Sequence, residues 1–176
     1  ADVISPTQAR KAAQSGVDGL VLVCSGAGGH TGQISPFAFI EEVRQFFQGD
    51  IIVGGGISTG QAVLASQVMG ADYAYLGTRF ITTNESMAQD EYKQMIVDSG
   101  GDDIVCSDSI TGVKANWLKN SLINGGYDLA NMPSASDIDF LKAAGDAKRW
   151  KDIWAAGQGV GAINSITSIS DLVDEL

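Results

Sequence analysis

Three glycine-rich segments follow short apolar runs, and one of them carries the only histidine of the chain. The segments are Gly26–Gly32, which includes His30, then Gly54–Gly56 and Gly77–Thr78. Backbone N–H groups in such turns can bind a phosphate without help from a lysine. A histidine beside them can take or give a proton near neutral pH. The pattern indicates a phosphate-bearing ligand next to an acid–base residue, although tight turns that bind nothing would show the same glycines.

Regular elements surround each glycine segment. The apolar runs 19–24, 51–53 and 73–76 predict strands that are buried on both faces, and a further strand ends near Ile4. Helix signals lie between these runs, and strand–turn–helix units that alternate in this way predict a parallel sheet. Ligands bind at the carboxyl ends of parallel strands, where the glycine segments fall. Four such strands fit either an open flavodoxin-like sheet or half of a (β/α)8 barrel.

The alternation fades after residue 82, and we expect a mostly helical extension over residues 83–176. A late glycine-rich segment, Gly157–Gly161, interrupts it. The periodicity predicts helices over 84–99, 117–122, 137–144 and from 170, with a short strand over 104–106.

Composition excludes several classes of protein. The chain has 11 Lys and Arg against 21 Asp and Glu, a net charge of −10 that disfavours binding to nucleic acid or an anionic membrane surface. Its apolar runs are too short for a transmembrane helix, and no His and Cys spacing indicates a metal site. We expect Cys24 to be a buried, unreactive thiol. Since no signal peptide is recognisable, we also expect a cytoplasmic protein.

Four linked motifs resemble those of the nitronate monooxygenase family, also called 2-nitropropane dioxygenases. The resemblance runs from about residue 3 to 123, and more loosely through Gln158 to the end. The motifs are Gly26-Ala27-Gly28-Gly29-His30, Gly55-Gly56-Ile57, Gly70-Ala71-Asp72 and Leu76-Gly77-Thr78-Arg79-Phe80.

The resemblance implies a TIM barrel that binds FMN, with this chain supplying about strands five to eight. Residues 1–82 would then form the phosphate-binding half of the barrel. His30 would be the catalytic base and Gln158 would approach the ring system. The implied flavin contacts are Gly28 and Gly29 beside the cofactor, with Gly55, Gly56, Tyr75, Leu76, Gly77 and Thr78 holding its phosphate.

The implied activity is the oxidation of a nitroalkane or its nitronate by dioxygen, which gives a carbonyl compound and nitrite. Val23, Gly26 and Asn116 stand where the family commonly has a glutamine, an acidic residue and an arginine, so the particular substrate stays open. The alternatives are an FMN-dependent NAD(P)H reductase of an enoyl thioester or quinone, and a non-catalytic phosphate-binding half-barrel. We expect the chain to be part of a longer protein, or else a half-barrel that a second copy completes as a homodimer.

Overall fold

A parallel sheet forms the first part of the molecule. The computed structural model describes residues 1–137 and 152–176. In chain order the elements are β1 (Asp2–Val3), α1 (Pro6–Gln14), β2 (Gly19–Val23), β3 (Gly29–His30), α2 (Pro36–Arg44), β4 (Asp50–Gly54), α3 (Gly60–Val68), β5 (Tyr73–Tyr75) and α4 (Thr78–Ile81). The strand order is β1-β2-β4-β5, with every neighbouring pair parallel, and β3 pairs elsewhere. The predicted parallel α/β architecture is confirmed.

The helices cover one face of this sheet, and α1 and α3 begin at side-chain caps. Ser5 accepts a hydrogen bond from the Gln8 N–H at the start of α1, and Thr59 does the same for Ala62 at the start of α3. The covered face consists of fully buried aliphatic and aromatic side chains. Its members include Leu20, Leu22, Ile51 and Val53 from the strands with Phe39, Ile40 and Val43 from α2. On the opposite face Val21 and Ile52 are only half-buried, and Tyr73 and Tyr75 of β5 are exposed. The prediction that the strands are buried on both faces is therefore wrong for this face, because the helices cover only the other one.

The Gly70-Ala71-Asp72 motif has a structural role at the start of β4 and β5. The Asp72 carboxylate accepts hydrogen bonds from the Ile51 N–H, at 2.7 Å, and from the Arg44 guanidinium. The same guanidinium donates to the carbonyls of Gly70, at 2.9 Å, and Gly49, at 2.7 Å. Arg44 and Asp72 therefore tie α2 to the amino ends of two neighbouring strands.

The second part of the chain contains a small antiparallel sheet as well as helices. Its strand order is β3-β7-β6, so the histidine-bearing strand of the first part forms one edge. Single turns of 3-10 helix connect the longer elements. Those elements are α5 (Asp90–Val97), β6 (Ile104–Ser107), β7 (Ala115–Leu118), α6 (Lys119–Asn124) and α7 (Ile169–Glu175).

Two predicted helices differ from the structure. The helix predicted over 117–122 begins only at Lys119, because Trp117 and Leu118 are buried residues of β7 that pair with β6. The helix predicted over 84–99 is confined to α5, since turns occupy the residues before it. The terminal helix is confirmed as α7. Most of the helix predicted over 137–144 lies outside the described residues.

The segment between α4 and α7 begins and ends at neighbouring positions. Thr83 and Thr167 form an isolated bridge, and the Asn84 N–H donates to the Thr167 carbonyl at 2.9 Å. The helix that follows, α7, places Glu175 at 3.1 Å from the buried guanidinium of Arg79 in α4. Residues 84–166 therefore form an excursion whose two ends are adjacent. A domain boundary at residues 82 and 83 stays a prediction.

Candidate active site

A cavity of about 570 Å³ lies at the carboxyl ends of β2, β4 and β5. Its volume falls within the range of small-molecule sites, roughly 300–1,000 Å³. Val23, Gly54 and Tyr75, at the ends of the three strands, all line it. The second part of the chain contributes apolar side chains to the opposite wall, among them Tyr92 and Val113. The cavity is therefore an open cleft between the parallel sheet and the excursion.

Unpaired backbone donors characterise the sheet side of this cavity. Among the described residues, none accepts a hydrogen bond from the N–H of Gly55, Gly56, Gly77 or Thr78. Gly55 has φ +143° and Gly56 has φ +71°, a backbone region that only glycine adopts readily. No lysine or arginine of the described residues lines the cavity. An anion bound here would therefore be held by main-chain N–H groups.

Residues 155–159, which we call the strap, cross these glycine turns at very short range. The Gly157 N–H donates to the Thr78 hydroxyl oxygen at 2.9 Å, and the Gln158 N–H donates to the Gly26 carbonyl at 2.9 Å. A Cβ atom added to Gly28 would lie 2.7 Å from the Gly157 nitrogen. A Cβ on Gly157 would lie 2.7 Å from the Gly26 carbonyl oxygen. Glycine is therefore required on both sides of the crossing.

The candidate base, His30, lies on β3 at the cavity wall. Its backbone pairs with Ala115 of β7, and the adjacent Thr31 N–H donates to the Lys114 carbonyl at 3.1 Å. The His30 side chain is exposed and makes no hydrogen bond or ion pair within the described part of the chain. Main-chain pairing thus fixes the position of this residue while leaving its imidazole free to meet a ligand.

Most of the predicted site residues line one cavity, although two do not. Gln158 is exposed, with its side-chain oxygen close to Gly26, and Leu76 is half-buried beside the cavity lining. The catalytic and binding roles of all these residues stay predictions. Those that line the cavity are Gly28, Gly29, His30, Gly55, Gly56, Tyr75, Gly77 and Thr78.

Tyr92 is a cavity residue that the sequence did not single out. Its ring stacks on Trp154 with 5.1 Å between the ring centroids, and its hydroxyl donates to the Ala155 carbonyl of the strap. Burial raises the pKa of the Tyr92 hydroxyl to about 12. The phenol therefore stays neutral at physiological pH and presents an aromatic surface to the cavity rather than an acid–base group.

A second residue that the sequence did not assign to the site is Asn116 on β7. Its side-chain Nδ2 donates to the carbonyl of Ala27 at 2.8 Å, across 89 residues of chain. The sequence marks Asn116 only as a departure from the arginine common in the family, and this departure does not reveal the partner.

Cys24, at the end of β2, is fully buried beneath the glycine turns. Burial raises the pKa of its thiol to about 12, so the nucleophilic thiolate is scarce at neutral pH. This environment agrees with the expected unreactive thiol.

The described ranges 1–137 and 152–176 contain no group of three or more His, Cys, Asp or Glu side chains placed to hold a metal ion. Within the same ranges, no helix is long and apolar enough to cross a membrane.

A parallel sheet with helices on one face and a glycine-lined cavity at its carboxyl edge is typical of part of a (β/α)8 barrel. The sequence model of the nitronate monooxygenase family matches residues 2–176. The chain therefore belongs to the nitronate monooxygenase family, as its motifs predict.

Individual relatives agree with this assignment. A probable nitronate monooxygenase of Staphylococcus haemolyticus is 30% identical over 92% of this chain and 50% of its own length. A putative monooxygenase of Mycobacterium tuberculosis is 28% identical over 95% of this chain and 50% of its own length. The chain thus spans about half the length of the curated relatives that it matches.

Two solved structures match nearly the whole chain. FabK of Thermotoga maritima superposes with a TM-score of 0.79 at 26% identity, over 99% of this chain and 58% of that one. Nitroalkane oxidase of Streptomyces ansochromogenes superposes with a TM-score of 0.76 at 27% identity, over 99% of this chain and 55% of that one. The expected half of a (β/α)8 barrel is confirmed.

Proposed function

We propose that the protein binds FMN in the glycine-lined cavity and oxidises alkyl nitronates and nitroalkanes with dioxygen, giving a carbonyl compound and nitrite. The observation that carries the proposal is the set of unpaired backbone N–H groups at the ends of β4 and β5, in a family of nitronate monooxygenases. The residues that carry these donors line the same cavity as His30.

The residues present fit a flavin phosphate. A phosphate dianion accepts several hydrogen bonds, and Gly55, Gly56, Gly77 and Thr78 offer N–H groups with no partner among the described residues. A side chain at Gly55 or Gly56 would strain the backbone, so this cradle stays open to a ligand. Bound FMN would supply the redox chemistry that links oxidation of the nitronate to reduction of dioxygen.

The protein's own part in the reaction centres on His30. An imidazole nitrogen of His30 takes the proton from the carbon that bears the nitro group, which converts a neutral nitroalkane into its nitronate. Ile81, Tyr92 and Val113 provide apolar cavity surface that favours the alkyl part of the substrate and limits access of water. A preformed nitronate needs no such proton transfer.

Cofactor binding is the first test. The chain, expressed with any coding sequence that continues it, is incubated with FMN and separated from free flavin by gel filtration. We expect it to retain flavin absorbance and to release nitrite from a nitroalkane in air. Protein that retains no flavin would contradict the proposal, while bound flavin without any turnover would favour the non-catalytic phosphate-binding alternative.

Replacing the candidate base gives the second test. His30→Asn should lower the rate with a neutral nitroalkane by about 10²–10⁴-fold and should have a much smaller effect with the preformed nitronate, since only the former loses a proton. Initial rates with the two substrates check this, and the nitronate serves as the control within the same variant. Equal losses with both substrates would exclude the role of His30 as a base.

The structural similarity to FabK favours a second candidate, an FMN-dependent NAD(P)H reductase of an enoyl thioester or a quinone. An anaerobic assay separates the two candidates. Oxidation of NAD(P)H that depends on an enoyl thioester or a quinone would support the reductase, whereas nitrite release in air without a pyridine nucleotide would support the oxygenase.

A further inference from the structure

The loop that carries the candidate base has little means of holding its own shape. This glycine loop, residues 25–31, contains Gly26 with φ +94° and Gly29 with φ +68°. Glycines lose more conformational entropy on ordering than other residues and have no side chain to pack. The loop must therefore be fixed by contacts from outside it.

Most of those contacts are made by the main chain. The Ser25 N–H donates to the Ile34 carbonyl at 2.8 Å and the Thr31 N–H to the Lys114 carbonyl, so both ends are fixed. Between these ends, Gly29 and His30 pair with β7, and the strap donates one main-chain hydrogen bond to Gly26. Within the described part of the protein, only one side chain hydrogen-bonds residues 26–30, and it is Asn116, on the carbonyl of Ala27.

Asn116 is itself firmly placed. It is 1% exposed and lies on β7, the central strand of the antiparallel sheet. Its backbone is in register with Gly29 on one side and Cys106 on the other. A side chain held in this way, with its donor paired inside the protein, has little freedom to move without breaking the hydrogen bond.

We infer that Asn116 is a positioning residue that, together with the pairing of β3 and β7, sets the place of His30 by holding the glycine loop at Ala27. The catalytic consequence rests on the proposed function, whereas the effect on the loop does not. Ala27 is three residues before His30, with two glycines between them. A displacement of the base by about 1 Å can lower a rate by about 10²-fold, so loss of this hydrogen bond should reduce turnover of a neutral nitroalkane by about 10-fold to 100-fold.

An isosteric substitution separates the hydrogen bond from packing. In N116D the ionised carboxylate would face the Ala27 carbonyl oxygen and repel it, whereas the protonated carboxyl can donate to it. We expect the backbone amide NMR signals of Gly28, Gly29 and His30 to shift at neutral pH and to return toward the wild-type positions as pH falls through the pKa of the new carboxyl. The activity of N116D relative to wild type at the same pH should rise over the same pH range.

Two further variants make the test decisive. N131D is the matched control, because Asn131 is an exposed asparagine whose amide donates to Asp128 and has no contact with the loop. N116S removes the long-range donor without adding a buried charge; if N116D fails to fold, N116S should still shift the same NMR signals, without recovery at low pH. The neighbouring titratable groups, His30 on β3, Lys114 before β7 and Cys106 on β6, are the same in every variant.

The outcomes separate this inference from the proposed function. Shifted loop signals in a protein that never turns over a nitroalkane would uphold the positioning role and contradict the proposed reaction. Loop signals that match the wild type in both N116D and N116S would overturn the inference, whatever the activity.

Discussion

The helix-covered face of the parallel sheet and the carboxyl edge of the same sheet are built from opposite kinds of residue. The face consists of fully buried aliphatic and aromatic side chains, such as Leu22, Val53 and Phe39. The edge consists largely of glycines, whose main-chain atoms contact one another and line the cavity. Buried side chains on the covered face therefore stabilise the fold, whereas the lack of side chains at the carboxyl edge leaves room for the site.

The largest effect is expected on the covered face. Phe39→Ala should lower the free energy of unfolding by about 3–5 kcal/mol, because Phe39 is fully buried and its removal leaves a cavity in the core. Urea unfolding of the purified protein measures this. Phe37→Ala on the same helix is the control, since Phe37 is 67% exposed and should cost no more than about 0.5 kcal/mol. Similar losses in the two variants would refute the assigned role of this face.

An intermediate effect is expected at the edge. Gly28→Ala places a Cβ 2.7 Å from the Gly157 nitrogen and 2.9 Å from the Ala156 carbonyl carbon, so the strap must shift. We expect a cost of about 1–3 kcal/mol from overpacking, together with at least about tenfold weaker FMN binding if the cavity is the cofactor site.

Gly101→Ala is the control for the edge, because a Cβ at Gly101 has no atom within 4 Å. Unfolding curves and flavin titrations of both variants give the comparison. If the Gly28 variant binds FMN as tightly as the Gly101 variant, the close crossing does not shape the site.

The smallest effect is expected for the Asp72 carboxylate, which lies at the amino ends of β4 and β5. The pKa of the Asp72 carboxyl is lowered, first by the hydrogen bond from the Ile51 N–H and then by that from Arg44. A carboxyl whose folded pKa is depressed stabilises the protein above its unfolded pKa, about 3.9, and loses that contribution as pH falls through the folded value. Since Asp72 is largely exposed, we expect Asp72→Asn to cost roughly 0–1 kcal/mol at pH 7.

Urea midpoints measured from pH 7 down to pH 2 test this prediction. The difference between wild type and Asp72→Asn should shrink at the acid end. Glu41→Gln is the control, because Glu41 is an exposed carboxylate on α2 that is unpaired within the described residues. A difference that stays constant over the whole pH range would show that the ionised form of Asp72 does not stabilise the fold.

The sequence alone predicted the covered face and the glycine turns well, because both depend on local patterns. Apolar runs such as 19–24 and cap signals such as Ser5-Pro6 specify a strand and a helix with little help from distant residues. The positive φ at Gly55 and Gly56 is likewise a local requirement of the turn.

The excursion was harder to predict because its structure depends on distant partners. Trp117 and Leu118 continue directly into a helix, and only pairing with β6 makes them a strand. The hydrogen bond from Asn116 to Ala27 and the crossing of Gly157 over Gly28 join residues that are 89 and 129 positions apart. No local pattern identifies such partners.

The joined ends of residues 84–166 have a consequence for how this protein can be altered. Because Thr83 and Thr167 are bridged, the two ends of residues 84–166 are held next to each other. The entropic cost of closing a longer or shorter segment changes only slowly with its length. A segment of different length can therefore close at these two positions, but it must also supply counterparts of Asn116 and Gly157, because these two residues contact the glycine turns of the cavity.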